Sequence, residues 1–342
     1  MRQKAKTKRQ EKRKALIIGV SRYDKLYPLK FCKKDAEGMV TILSAEPLSY
    51  KTTNLIGSVI SADMKKAITS FFLEEDIKPK DTLLFYFSGH GLMDKHGHYY
   101  IAPSDIDATD LIDMRTKGFS FDDLEDVIQE TQSRRVIAVL DCCFSGAARL
   151  RGRTILKGDG QEAANTTAQA AQVIRKKIRL GTGKCILCAC LDFQEAEKAA
   201  NKEYSIFTYY ILQGLEGNDE ECIDKYGNVT TNLLGSYVYN KVITHQPKSE
   251  RPKQTPIIKT ESSGDIILAH YPDKIKEKEH SREYKNGYLA GAGKGKEDVD
   301  AFNEDIIDEL SVDKVPPCPA PLNIEFCKGW KQGYIDQVSR ED

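Results

Sequence analysis

The chain has 342 residues, and its 51 basic and 51 acidic side chains cancel. At 40% apolar and 30% charged it can bury a real core, which excludes wholesale disorder, and the neutral balance excludes a general nucleic-acid binder. No apolar run approaches the ~18 residues of a membrane-spanning helix, so no membrane partner is expected.

Residues 1–14 form a basic leader, with eight bases against the single acid Glu11. The apolar run that follows, ALIIGV, is short and lacks a small-residue cleavage site, so it does not read as a secretory signal. A cytoplasmic location with reduced thiols is therefore expected, and an odd count of nine cysteines fits thiols better than a full disulfide framework. Ala15–Val20 reads as a buried strand, and Lys34–Ser44 has helical spacing. Thr52–Ile56 is a weak strand, Ala62–Leu73 a helix and Thr82–Phe87 a strong buried strand. Tyr99–Ala102 is a short strand or hairpin arm. Phe121–Gln129 is a helix with Ser120 as its N-cap, and Val136–Leu140 is another buried strand. This alternation implies an α/β fold, an open and mostly parallel sheet with helices on both faces.

The pattern breaks over 148–183, a long basic loop in which Arg149–Arg179 carries eight bases against Asp159 and Glu162. Loops of such length inside a compact domain are usually functional or disordered. Order returns at Cys185–Cys190, with helices near Ser205–Leu215 and Thr231–Ile243 and a last strand at Asp265–Ala269. The tail, 271–342, is mildly acidic, with sixteen acids against eleven bases. Within it EYKNGYLAG (283–291) and EFCKGWKQG (325–333) repeat a Glu-aromatic-Gly-aromatic-Gly pattern. They read as helices of a small appended module of unknown role, joined by the stiff segment VPPCPAP.

Two strand ends carry the chemistry. TLLFYF runs into Ser88-Gly89-His90-Gly91, and VIAVL runs into Asp141-Cys142-Cys143-Phe144-Ser145-Gly146. Open parallel sheets bind ligands at the carboxyl ends of their strands, so a histidine and a cysteine are expected at one edge. That pair suffices for thiol nucleophilic catalysis, in which histidine takes the proton and the thiolate attacks a carbonyl. The glycines beside His90 suit tight turns and close substrate approach.

These segments resemble the caspase–metacaspase peptidase family. SGHG and DCCFSG each follow a strand as they do in that family. ALIIGVSRYDKLYPLKFCKKDAEGM is similar to the family's opening strand, loop and helix. YSIFTYYILQGLEG is similar to the first small-subunit helix, and GNVTTNLLGSYV and GDIILA to the closing segments of prokaryotic members. The resemblance covers about 15–270. It implies a caspase-like three-layer α/β sandwich of about six strands with a small helical C-terminal extension. It divides the chain into the leader, a large-subunit-like region 15–147, the loop 148–183, a small-subunit-like region 184–270 and the module 271–342.

The resemblance also implies roles. Cys143, rather than Cys142, matches the nucleophile and His90 the general base. The backbone N–H groups of Gly91 and Cys143 match the oxyanion hole, and Cys142 would point the other way and pack. Asp35, Ser88 and Asp141 match the specificity pocket of metacaspase-like members, where carboxylates favour arginine or lysine. The implied partners are polypeptides with Arg or Lys before the scissile bond. Arg149, Arg151, Arg153, Arg175, Lys177 and Arg179 in the basic loop become candidate self-cleavage positions. Many metacaspases need calcium. Asp122-Asp123 and Asp105 resemble part of that set, but Leu150 stands where an aspartate is expected, so no metal and no cofactor requirement is expected.

Other signals carry less. Cys185-x-x-Cys188-x-Cys190 lacks a second ligand pair for zinc. GAGKGK (291–296) lacks the spacing of a phosphate loop. Asp224-Lys-Tyr-Gly-Asn reads as a plain turn. His96 and His98 read as exposed hairpin residues, and His245, His270 and His280 show no partner. The alternative function is a catalytically weak interaction or scaffold protein on the same fold. Oligomeric state is left open.

Overall fold

The computed structural model describes residues 11–143, 183–189, 203–245, 256–261, 265–274, 289–290 and 330–332. The chain divides into two units, Met1–Ile275 and Lys276–Asp342. The first unit runs β1 (Arg13–Val20), α1 (Cys32–Ser44), β2 (Lys51–Gly57), α2 (Ser61–Leu73), β3 (Thr82–Met93) and β4 (Tyr99–Ile101). It continues with α3 (Leu111–Lys117), β5 (Phe119–Ser120), α4 (Phe121–Glu130), β6 (Arg135–Cys143), β7 (Lys184–Cys188) and α5 (Ile206–Leu215). It closes with β8 (Asn228–Thr230), α6 (Thr231–His245), β9 (Ile257–Glu261) and β10 (Ile267–His270). In the second unit, Leu289–Ala290 and residues 330–332 are helical, inside the two repeats, and Trp330 is buried.

The main sheet has the order β2-β1-β3-β6-β7-β9. The first four pairings are parallel and β7 to β9 is antiparallel. This is the expected mostly parallel α/β sheet. Side chains alternate between two apolar layers with the period of two that strands impose. Leu16, Ile18, Phe85, Phe87, Ala138, Leu140 and Cys142 join the layer of α2, α3 and α4. Ala15, Ile17, Leu84, Tyr86, Ile137 and Val139 join that of α1, α5 and α6. The strands that are buried on both faces are the ones that read as unbroken apolar runs.

Most elements lie within a few residues of the expected spans, and the exceptions have physical reasons. β3 does not end at Phe87. It continues through SGHG to Met93, so the glycines beside His90 make no turn. The segment expected as the last strand pairs with β8 in a separate two-stranded sheet. The strand that closes the main sheet is β9, IIKTE, whose short and partly polar pattern gave no signal. The short helix α3 also went unread, although Asp110 caps it by accepting from the Ile112 and Asp113 N–H groups.

Local chemistry fixes several ends. Ser120 and Asp123 form a reciprocal capping box at α4. Asp105 accepts the Ser61 N–H at the start of α2 at 2.8 Å. Both carboxylates are thus engaged in helix starts. Lys184, which opens β7, is buried and donates to the Ile128 carbonyl in the last turn of α4. A cation suits that position because orphan carbonyls and the negative dipole end meet there. Asp224 accepts from the N–H groups of Tyr226 and Asn228, both at 2.8 Å, as a turn does.

One glycine sets how near α1 lies to the sheet. A Cβ at Gly19 would stand 2.6 Å from both the Ala36 Cβ and the Cys32 carbonyl oxygen. That closeness brings the first turn of α1, including Asp35, against the end of β1. Gly19→Ala is expected to cost about 1–3 kcal/mol by overpacking. Urea unfolding at pH 7 measures it, and an unchanged midpoint would contradict this role for Gly19.

Candidate active site

Register brings the expected residues together. β3 and β6 pair Ser88 with Asp141 and, two residues further, His90 with Cys143. Register partners on neighbouring strands lie about 4.8 Å apart. His90 and Cys143 therefore stand side by side at the carboxyl edge of the two central strands. Cys142 is buried and joins the α2–α4 layer, as a side chain one residue out of phase must.

His90 is held from the loop after β1. Its Nε2 lies 2.9 Å from the Tyr27 carbonyl oxygen. A carbonyl only accepts, so Nε2 carries the proton and Nδ1 keeps its lone pair. The His90 backbone N–H donates to the Tyr23 hydroxyl at 2.8 Å, and the two rings lie 4.6 Å apart. Burial lowers the His90 pKa to about 4 against the weaker upward pull of the Tyr27 carbonyl. The imidazole is thus neutral at pH 7 and able to accept a proton.

The N–H of Gly91 has a defined direction. Gly91 pairs with Ile101 across β3 and β4, and the flanking bond runs from the Ala102 N–H to the His90 carbonyl at 3.0 Å. In that arrangement the Gly91 N–H turns away from β4, to the edge where β6 lies. Both residues of the expected oxyanion hole therefore belong to paired strands.

Beside this edge Asp35, Ser88 and Asp141 converge, all buried. Ser88 Oγ donates to Asp35 Oδ2 at 3.2 Å, and the Ser205 N–H donates to Asp35 Oδ1 at 2.9 Å. Ser205 Oγ and Thr208 Oγ1 both donate to Asp141 Oδ2, the latter at 2.6 Å, and Thr208 accepts from the Tyr86 hydroxyl at 2.6 Å. Neither carboxylate pairs with a basic side chain among the described residues. Burial raises the pKa of Asp35 first, and the neighbouring Asp141 raises it further. Burial raises Asp141 too, against the hydroxyls of Ser205 and Thr208. A buried acidic pair without a cation is costly, and a bound guanidinium or ammonium would remove that cost.

Sequence reading missed the supporting residues. A backbone carbonyl such as that of Tyr27 has no sequence signature. Ser205 was visible only as a helix start, yet its N–H and hydroxyl reach both buried carboxylates. The six candidate cleavage positions, Arg149 to Arg179, lie outside the described residues, as do Leu150, Cys190 and His280. Among the described residues no cluster of acidic, histidine or cysteine side chains has the geometry of a metal site. Cys185 and Cys188 fall in opposite apolar layers, which separates them as ligands. Two other histidines have partners after all. His245 Nδ1 lies 3.1 Å from the Tyr210 hydroxyl, and His270 Nδ1 lies 2.9 Å from Asn228 Oδ1. His98 is half exposed but turns Nδ1 to the buried Asp94 carboxylate at 3.2 Å. No helix among the described residues is long and apolar enough to cross a membrane.

Opposite pH signatures follow from the two buried groups. A histidine lowered from 6.5 to about 4 makes the native state bind fewer protons than the unfolded state in that range. Its contribution is present above pH 6.5 and is lost as pH falls toward 4. Wild type should therefore lose roughly 3 kcal/mol more than His90→Gln on acidification across that window. The raised carboxyls act the other way, since their ionisation on raising the pH costs stability. Asp35→Asn should be more stable than wild type by about 1–3 kcal/mol at pH 7, with the gap closing at acid pH. Urea unfolding across pH measures both; parallel pH curves for all three proteins would contradict them.

A model of the caspase domain family matches residues 12–265. Metacaspase-1 of Candida albicans (strain SC5314 / ATCC MYA-2876) is 24% identical over 296 residues, 77% of this chain and 64% of that protein. Metacaspase-1 of Plasmodium falciparum (isolate 3D7) is 32% identical over 149 residues, 40% of this chain and 24% of that protein. The chain thus spans less than two thirds of the length of either relative. Among solved structures, the crystal structure of caspase-1 from Spodoptera frugiperda aligns over 76% of this chain and 90% of that one, at 14% identity and a TM-score of 0.47.

Proposed function

Because the chain belongs to the caspase domain family of cysteine peptidases, we propose that it is an endopeptidase that hydrolyses peptide bonds after arginine or lysine. One observation supports the specificity most. Two buried carboxylates, Asp35 and Asp141, lie without a basic partner among the described residues, and Asp141 pairs with Ser88, two strand positions before His90. Such a pair is complementary to one long cationic side chain. A bidentate guanidinium fits it better than an ammonium, and an acidic side chain would be repelled.

In this reading His90 Nδ1 takes the thiol proton of Cys143, and the thiolate attacks the carbonyl carbon after the basic residue. The family resemblance assigns the oxyanion to the N–H groups of Gly91 and Cys143. His90 then passes the proton to the leaving amine as the carbon–nitrogen bond breaks and a thioester remains. Water, losing its proton to His90, attacks the thioester, releases the carboxylic acid and restores the thiol. No metal or cofactor enters these steps. The substrates are polypeptides, and the chain's own basic loop is one of them.

A peptide library varied at the residue before the cut tests the specificity. Arginine should lead, lysine follow and aspartate give no turnover. Cys143→Ala should abolish cleavage. Asp141→Asn should lower kcat/KM for arginine substrates about a hundredfold, as loss of a buried ion pair does. Preference for aspartate, or turnover surviving in Cys143→Ala, would overturn the reading. Intact-mass measurement of purified protein tests self-processing. Wild type should show fragments cut after one of Arg149, Arg151, Arg153, Arg175, Lys177 or Arg179, and Cys143→Ala should stay whole. An active wild type that stays whole would remove the self-cleavage step alone.

A further inference from the structure

β1 ends at Val20, and its last pairing with β3 is Gly19 with Ser88. Beyond that point β3 has lost β1 as a neighbour, and His90 turns both its N–H and its carbonyl toward the vacated edge. The carbonyl accepts from the Ala102 N–H at 3.0 Å. In a regular antiparallel pair the Ala102 carbonyl would accept the His90 N–H in return. Instead that N–H goes to the Tyr23 hydroxyl at 2.8 Å. A side chain has taken the place of one ladder bond at the residue that carries the imidazole.

The neighbouring residues are adapted to this substitution. A Cβ at Gly89 would come 2.8 Å from the Tyr23 oxygen and 2.6 Å from the Phe87 ring. Only glycine leaves room for the phenol to reach the strand. Tyr23 is buried, its ring sits 4.6 Å from the imidazole, and burial pushes its phenol pKa well up, so it stays neutral. Four residues on, the Tyr27 carbonyl holds Nε2 at 2.9 Å. One loop thus grips the histidine at its backbone and at its ring.

We infer that Tyr23 is a positioning residue for His90, setting the backbone at residue 90 through its phenol oxygen and thereby the direction of Nδ1. The inference rests on the reading of His90 as the base for Cys143. Tyr23 touches no reacting atom and moves no proton. Without its oxygen the His90 N–H has the Ala102 carbonyl as its nearest regular acceptor. Turning to it would rotate the imidazole away from the Cys143 strand.

The test uses the full chain and two readouts on Tyr23→Phe. The first is turnover of an arginine peptide, in which kcat should fall about tenfold or more while KM stays within about twofold. The second is the pH dependence of iodoacetamide alkylation at Cys143, followed on its peptide by mass spectrometry. In Tyr23→Phe the midpoint should move toward the ordinary thiol value of about 8.5, as it should fully in His90→Ala. A purely structural role would lower stability without moving that midpoint. Incorporating 3,5-difluorotyrosine at position 23 keeps the shape and weakens the acceptor, and should give an intermediate loss even if the phenylalanine variant folds poorly. Unchanged kcat and an unchanged midpoint in both variants would overturn the role of Tyr23. If wild-type Cys143 alkylates identically with and without His90, the His90–Cys143 reading itself fails.

Discussion

The structure depends on one register, that of β3 against β6. It aligns Ser88 with Asp141 and His90 with Cys143. Two strand positions separate these rows, a rise of about 7 Å. On the proposed reading, one row binds a basic side chain and the other cuts the bond next to it. The separation therefore suits a long side chain and not a short one. A slip of one residue would exchange the faces of β6, sending Asp141 into the apolar layer and breaking both rows at once. The unbroken apolar runs TLLFYF and VIAVL, buried on both faces, are what make such a slip costly.

The same register concentrates strain of an electrostatic kind. Two carboxylates are taken out of water beside each other, and hydroxyl and N–H donors only partly compensate. A core built for stability alone would hold apolar residues there. Instead both layers are closely packed around the site, with Gly19 drawing α1 onto β1 and Ser205 drawing the start of α5 onto both acids. The packed sheet carries the cost. Neutral His90 is the complementary case, a base kept uncharged by burial and oriented by the Tyr27 carbonyl.

Much of this was legible in the sequence, and the limits have physical causes. Strands with strong apolar runs and helices with clear periodicity stood out, as did the Ser120 cap. His90, Cys143 and the acidic pair could be named because they match a family pattern, and His90, Asp141 and Cys143 also follow unbroken apolar runs. The strand extension through SGHG was not legible, since glycine normally argues against a strand interior. Only the three-dimensional approach of Tyr23 explains Gly89. β9 was too short and polar to stand out, and its place in the sheet is set by pairing with β7. The roles of Tyr23, Tyr27 and Ser205 depend on a backbone N–H, a backbone carbonyl and a doubly used cap, none of which a residue letter encodes.

The central claim is that the aligned rows form one thiol site selective for a basic side chain. Covalent labelling tests it most directly. Wild type is treated with matched peptide acyloxymethyl ketones ending in arginine or in aspartate, and the adduct is mapped by mass spectrometry. The account predicts a single arginine-probe adduct on Cys143, lost in Asp141→Asn at the same probe concentration, and no adduct from the aspartate probe. Labelling by the aspartate probe, or an arginine-probe adduct on another cysteine, would contradict it.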